Sequence, residues 1–259
     1  MRADVNQTDL SMQNFDLIAF DNDDKLAEMA AFKFWKAAMK AHLDKVEEPS
    51  SSDLAVALSG GRIAVKLYFA IVAAGQAAAK AANASLPSFH VFWADERCVP
   101  PNSPDSNFSV ANELLLTPLG AAKDHVHRIR GEEPPEFACA EAEAEICRVA
   151  HLNGDGLPVL DLVILGLGED GHVASLFPGR PVPEKKAAYQ IVTDSPKPPP
   201  TRITLSYDAI AAAKEVWVLV SGKGKEQALQ ESLKPDGKTS LRRVIKSREH
   251  TKILSDVRV

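Results

Sequence analysis

One histidine stands in a setting suited to acid–base chemistry. It closes Gly166-Leu167-Gly168-Glu169-Asp170-Gly171-His172, directly after the apolar run Leu162–Leu165. Apolar β-branched residues broken by Gly166, Gly168 and Gly171 predict a strand, a tight turn and a helix start. Backbone N–H groups at such a junction favour anions, and an imidazole beside them trades protons near neutral pH. Asp170 is suited either to cap the helix that His172 opens or to hold the imidazole in one tautomer. The chemistry implied is proton transfer on an anionic or carbonyl-containing substrate.

The same glycines fit a competing pattern. Gly166-x-Gly168-x-x-Gly171 matches the dinucleotide-binding fingerprint, and Asp194 lies where a ribose-binding acid belongs. That motif needs a full crossover helix between the third glycine and the acid. Pro178, Pro181 and Pro183 interrupt the stretch and leave room for only about two helical turns.

Other segments offer further groups. Ser59-Gly60-Gly61 ends a predicted strand, so its amides are placed to cradle an oxyanion or phosphate, or simply to make a tight turn. Asp95-Glu96-Arg97 brings a planar, permanently charged fork suited to phosphate, unless Arg97 only pairs with its acidic neighbours. Asp105-Ser106-Asn107 reads equally as a helix N-cap. Pro196–Pro200 form a stiff extended segment delivering Arg202 onto a strand, and Gly222-Lys223-Gly224-Lys225 sets a lysine near a helix start. The basic residues are all expected at strand carboxyl ends, which favours a small anionic ligand. The six histidines other than His172 have no comparable setting and are read as incidental.

The elements needed to position these groups are legible in outline. Strands are expected at 15–20, 53–58, 89–93, 126–129, 162–166, 189–193, 202–205, 216–220 and 252–254. Helices are expected at about 22–45, 62–82, 106–116, 135–151, 207–213 and 223–233, with 49–52 and 95–101 as loops. Strands alternating with helices predict an α/β fold, a mostly parallel sheet covered on both faces, in which ligands sit outside the carboxyl ends of the strands.

Composition narrows the class. A chain of 259 residues with 45% hydrophobic and 25% charged content is ordinary for a globular protein, and a net charge of −5 argues against a nucleic-acid or anionic-membrane surface. No run approaches the roughly 20 apolar residues of a membrane span, and the first residues show no signal-like apolar core. Cys98, Cys139 and Cys147 have neither metal-ligand nor disulfide spacing. A cytoplasmic, metal-free protein is expected.

Taken together, these pieces resemble the 6-phosphogluconolactonase family across nearly the whole chain. The resemblance rests on Leu58–Gly61, Trp93–Pro100, Asp105–Asn107, Leu165–Gly179, Pro198–Leu205 and Gly222–Lys225. It implies a Rossmann-like fold in a single domain over residues 1–259, and hydrolysis of 6-phospho-D-glucono-1,5-lactone in the pentose phosphate pathway. It further implies His172 as general base with Asp170 beside it, and Arg97 and Lys225 as phosphate ligands. Ser59, Gly60, Gly61, Asn107, Gly168 and Arg202 complete the expected substrate-binding set. No metal or organic cofactor is implied; the partner is a sugar-phosphate lactone, with no nucleic acid or membrane, and the chain is expected to act as a monomer. Arg62-Ile63-Ala64 departs from the family's usual Thr-Pro continuation, which puts side-chain contributions of that loop in doubt but not its amides. The related glucosamine-6-phosphate deaminases tend to carry Asp-Glu-Tyr in place of Asp95-Glu96-Arg97, and an acidic residue after the histidine that this chain lacks. Deamination, or a non-catalytic sugar-phosphate sensor, are the alternatives.

Overall fold

The computed structural model describes residues 14–48, 50, 52–181 and 186–259. Pro49 and Ser51 of the expected loop, Pro183 and the N-terminal thirteen residues lie outside these.

In chain order the elements are β1 (Phe15–Ala19), α1 (Asp23–Glu47), β2 (Leu54–Leu58), α2 (Arg62–Ala82), β3 (Phe89–Trp93) and β4 (Asp95–Arg97). Next come α3 (Asn107–Ala111), a π-helical segment (Asn112–Leu116), α4 (Thr117–Leu119), a 3₁₀ turn (Lys123–His125) and α5 (Pro135–Val149). Then follow β5 (His151–Leu152), β6 (Pro158–Val159), β7 (Leu162–Gly166), β8 (Tyr189–Val192), β9 (Arg202–Leu205) and α6 (Tyr207–Ala212). The chain finishes with β10 (Glu215–Val220), α7 (Glu226–Leu233), α8 (Ser240–Lys246) and β11 (Thr251–Ser255).

Six strands form an all-parallel sheet in the order β1-β11-β10-β7-β2-β3. Every residue of β2, and Val216–Val220 of β10, is buried. An unbroken apolar strand of this kind needs cover on both faces, which the helices provide. The edge strand β1 is largely exposed. α1 starts where the Asn22 side chain accepts from the Lys25 N–H at 2.9 Å, with Asp23 and Asp24 in its first turn. One hydrophobic cluster runs from Leu26 to Val257.

The order of the strands creates a switch point. From β2 the chain moves outward to β3, whereas from β7 it moves the other way, through β10 to β11. Loops after β2 and β7 therefore diverge around a crevice at the carboxyl end of the sheet.

Several expectations are corrected. Residues 95–97 are a strand rather than a loop, and β4, β9 and β8 form a separate antiparallel sheet. Arg202 opens β9 of that sheet and is not at a parallel strand's carboxyl end. Residues 126–129 make no strand: Val126 has a single bridge to Val91. The helix over 106–116 is broken by the π segment. α2 is long and apolar enough, by length and composition alone, to cross a membrane; its face carrying Ala64, Leu67, Tyr68 and Ile71 is buried in the core.

The largest correction concerns the segment after Gly171. No helix follows His172. Val173, Leu176 and Phe177 have helical spacing and are buried, but two turns aim them inward instead. Gly171 at φ 83° and Ala174 at φ 49° leave the helical region, and Leu176 N–H closes on the Val173 carbonyl at 2.9 Å. Asp170 therefore caps no helix, and the nucleotide-binding βαβ unit is absent. α8, missing from the sequence reading, supports this loop: the Leu241 N–H donates to the Gly171 carbonyl at 3.2 Å, and Thr239 packs where a Gly171 side chain would go.

Candidate active site

The crevice is lined by Ser59, Gly60, Gly61, Arg97, Asn107, Gly168, His172, Arg202 and Lys225, together with Arg62, Asp95 and Lys197. All the expected substrate-binding residues thus converge, although they span more than 160 positions of sequence.

His172 is held from two sides. Its Nδ1 pairs with Asp170 Oδ1, and its carbonyl accepts the Gly168 N–H at 2.8 Å. The ring lies 4.8 Å from that of Phe177, centroid to centroid. Gly168 is needed for close approach, since a Cβ there would overlap the imidazole and the Asp170 carboxylate. Burial pulls the His172 pKa below its ordinary value against the opposing charge of Asp170. Burial raises Asp170, but the bond and charge of His172 outweigh it and hold the carboxyl below its usual range. With ionised Asp170 accepting from Nδ1–H, the neutral ring presents a bare lone pair at Nε2.

The first glycine loop keeps its expected character. Gly61, at φ 104°, precedes α2, so Gly60 and Gly61 lie at a true helix N-terminus. Among the described residues no acceptor takes either N–H. The Ser59 hydroxyl is buried there without a partner. Gly60 sits against Asn107, leaving no space for a side chain. The Gly168 N–H, by contrast, is engaged by His172 and is not free for an oxyanion.

The charged residues of the Asp95-Glu96-Arg97 run divide the labour. Glu96 is buried and accepts from the N–H groups of Arg97, Asn107 and Phe108 at 2.7, 2.8 and 2.7 Å and from the Ser106 hydroxyl at 2.9 Å. It anchors the start of α3, whose N-cap is Ser106. Asp95 accepts from Ser175 Oγ at 2.7 Å. Asn107 donates to the Asp95 carbonyl at 2.8 Å, so it buttresses the wall of the site. Arg97 pairs with no carboxylate among the described residues: one guanidinium N–H donates to the Asp105 carbonyl, and its Nε is buried without a partner.

Arg202 is buried and donates to the carbonyls of Lys197, Pro198 and Pro199 at 2.9, 3.4 and 3.2 Å and to Ser175 Oγ at 3.3 Å. Burial and the charge of Arg97 lower its pKa. Lys225 is the N-cap residue of α7. Burial lowers its pKa, with Lys197 and Arg62 pushing the same way and the charges of Glu169 and Asp170 opposing. Arg62 abuts Gly222. Among the described residues none of Arg62, Arg97, Lys197, Arg202 or Lys225 forms a salt bridge. Five cations without a salt bridge among the described residues, with Asp95 also in the lining, favour an anion in this crevice. Arg62 and Lys197 were not expected as members. Arg62 directly follows the glycine pair, and Lys197 lies within the proline-rich segment, so position was the available signal.

An all-parallel α/β sheet, a carboxylate-held histidine and a polycationic crevice at the switch point define a class that works on small phosphorylated or otherwise anionic molecules. Residues 21–253 match the family described as glucosamine-6-phosphate isomerases/6-phosphogluconolactonase, and the chain belongs to that family. It is 35% identical over 201 residues to the 6-phosphogluconolactonase of Mycobacterium tuberculosis, covering 69% of this chain and 81% of that protein. A probable chloroplastic 6-phosphogluconolactonase of Oryza sativa subsp. indica is 34% identical over 223 residues, 83% of this chain and 65% of its own length. The structure resembles that of 6-phosphogluconolactonase from Trypanosoma cruzi, with a TM-score of 0.77, 26% identity, and coverage of 94% and 95% of the two chains.

Proposed function

We propose that the chain hydrolyses 6-phospho-D-glucono-1,5-lactone to 6-phosphogluconate, the lactonase step of the pentose phosphate pathway, with His172 as general base. The observation that carries the catalytic part is the bare Nε2 of a carboxylate-held imidazole facing a crevice with five unpaired cations. Family membership and the named relatives support the substrate.

A six-membered lactone is an activated ester, so water suffices as nucleophile. His172 Nε2 takes one proton from a water as its oxygen bonds to C1 of the lactone. The carbonyl oxygen becomes an oxyanion, for which the Gly60 and Gly61 amides are the available donors. The bond from C1 to the ring oxygen then breaks, and the imidazolium returns its proton to that oxygen. Asp170 keeps the proton-bearing Nδ1 fixed and stabilises the charged ring. The cations grip the distal phosphate and turn binding into orientation. The chain acts as a single domain and a monomer in the cytoplasm, independently of nucleic acid or membrane.

The test is a coupled lactonase assay on freshly made substrate, corrected for spontaneous hydrolysis. Catalysed 6-phosphogluconate formation is expected. Ammonia release from glucosamine 6-phosphate without lactone turnover would replace this reading by the deaminase one.

A further inference from the structure

We propose that Asp53, His90 and His125 form a binding site for a divalent transition-metal ion, Zn²⁺ by the chemistry of the set, at the end of the sheet opposite the catalytic crevice. One ligand atom from each residue falls within 4.8 Å of the others. The three come from separate segments: Asp53 immediately precedes β2, His90 lies in β3, and His125 closes the 3₁₀ turn. The Ser59–Gly61 loop that lines the crevice follows β2, so the five residues of that strand, at about 3.3 Å each, set the two places roughly 16 Å apart.

The hydrogen bonds around the cluster prepare it for a metal. Glu145 is gripped by Arg148 at 2.7 and 2.8 Å and, as a carboxylate, only accepts. His127 Nδ1, 2.7 Å away, must therefore carry a proton and donate to it. Neutral His127 then offers Nε2 as an acceptor, and its partner at 2.9 Å is His90 Nδ1. His90 consequently holds its proton on Nδ1, leaving Nε2 as an open lone pair. A carboxylate–histidine relay of this kind fixes the tautomer and raises the basicity of a metal-bound imidazole. The rings of His90 and His125 lie close, centroids 4.2 Å apart and tilted by 47°.

Two imidazoles and a carboxylate favour Zn²⁺ over Mg²⁺ or Ca²⁺, and three protein ligands leave a fourth position open. Asp53 is buried, while both histidines are partly accessible, which provides an entry path. Lys45 binds Asp53 Oδ2 at 2.8 Å and the Ser88 side chain hydrogen-bonds the same carboxylate, so the ion would share the carboxylate with these donors or displace one of them. Zinc–ligand distances of about 2.0–2.1 Å require donors somewhat closer together than 4.8 Å, so the three side chains draw in on binding. The ion would clamp the starts of β2 and β3 to the turn before α5, a structural rather than catalytic position.

The experiment titrates ZnCl₂ by calorimetry into full-length protein stripped with a chelator, and follows Tm in parallel. One equivalent is expected to bind wild type and raise its Tm. His125→Ala and Asp53→Asn should each weaken binding at least tenfold, with folding checked by circular dichroism. Glu145→Ala, which touches no metal, should weaken it about 10–100-fold. His172→Ala should bind as wild type does. Substitution with Co²⁺ should give visible ligand-field absorption that His125→Ala removes. Failure of wild type to bind, unchanged binding in both His125→Ala and Asp53→Asn, or loss of binding in His172→Ala would each overturn the proposal.

Discussion

Arg97 and Arg202 are cross-strand partners. In the antiparallel pairing of β4 with β9 the two arginines stand directly opposite each other, and both line the crevice. Like charges so placed destabilise a sheet by about 0.2–1 kcal/mol, and no carboxylate forms a salt bridge with either among the described residues. The carboxylate of Asp95, two positions before Arg97, accepts instead from Ser175 Oγ at 2.7 Å and Asn107 Nδ2 at 3.4 Å. An anion placed between the guanidinium groups would relieve the repulsion. Phe177 connects this pair to His172: its ring lies 5.9 Å from the Arg202 guanidinium carbon and 4.8 Å from the His172 ring.

Phosphate should therefore stabilise the protein, and Arg97 should be needed for it. At about 100 times its dissociation constant, inorganic phosphate is expected to raise Tm by roughly 5–10 °C. Arg97→Gln should leave the ligand-free Tm unchanged or higher, since it removes one of two facing charges, while cutting the phosphate-induced rise. Arg202→Ala should instead lower the ligand-free Tm, because the guanidinium ties the 197–199 carbonyls. Scanning calorimetry with and without phosphate distinguishes the two; an equal phosphate response in wild type and Arg97→Gln would remove Arg97 from the anion site.

His172→Ala should lower turnover about 10²–10⁴-fold with the fold intact. The pH dependence carries a sign. Burial takes the His172 pKa below its ordinary value of about 6.5, so the ring is neutral and competent at pH 7. Turnover is lost as pH falls through that lowered value, giving an acid limb beneath pH 6.5. Asp170 works against the burial, so Asp170→Asn should move the limb to still lower pH while reducing the plateau. A limb that moves upward in that variant, measured in background-corrected rates, would contradict the assigned pairing.

Gly168→Ala tests whether the loop geometry itself matters. The added Cβ would fall on the imidazole and on the Asp170 carboxylate, so the two must separate. Because Gly168 has no positive φ, the backbone tolerates alanine. Turnover should drop nearly as far as in His172→Ala, with Tm changed far less than by a core cavity. Wild-type activity in this variant would mean that the Asp170–His172 pairing is dispensable.

The apolar strands were legible because buried parallel strands such as Leu54–Leu58 and Leu162–Leu165 are continuous hydrophobic runs. β4 was not, since Asp95-Glu96-Arg97 carries no strand-like pattern. It is a strand only because β9, over 100 residues later, lies across it. The turn after His172 was hidden for the opposite reason: Val173, Leu176 and Phe177 mimic a helical face, while Ala174 adopts a backbone angle that alanine rarely visits. α8 did announce itself, in Thr239 as cap and Leu241, Val244 and Ile245 at helical spacing. The crevice-lining residues on glycine-marked loops could be picked out from local pattern. For Arg62 and Lys197 only their position beside the glycine pair and in the proline-rich segment was a signal, and the gathering of His90, His125 and His127, read from sequence as incidental, required knowledge of which segments meet.

Recognition of the phosphate should separate from catalysis. Arg97→Ala and Lys225→Ala are each expected to raise KM for the phosphorylated lactone, with kcat falling much less than in His172→Ala. Lys225 acts in company, because Lys197 and Arg62 are close enough to lower its pKa. Arg62→Ala should therefore raise KM as well, although sequence pattern alone did not nominate it. Arg97→Lys should rescue only in part, since an ammonium cannot reproduce the two-pronged guanidinium contact. The unphosphorylated lactone provides the control. Without a phosphate for the cations to grip, its turnover is expected to be slow and to change little in any of these variants. Equal weakening towards both lactones would show that these residues shape the crevice rather than bind the phosphate.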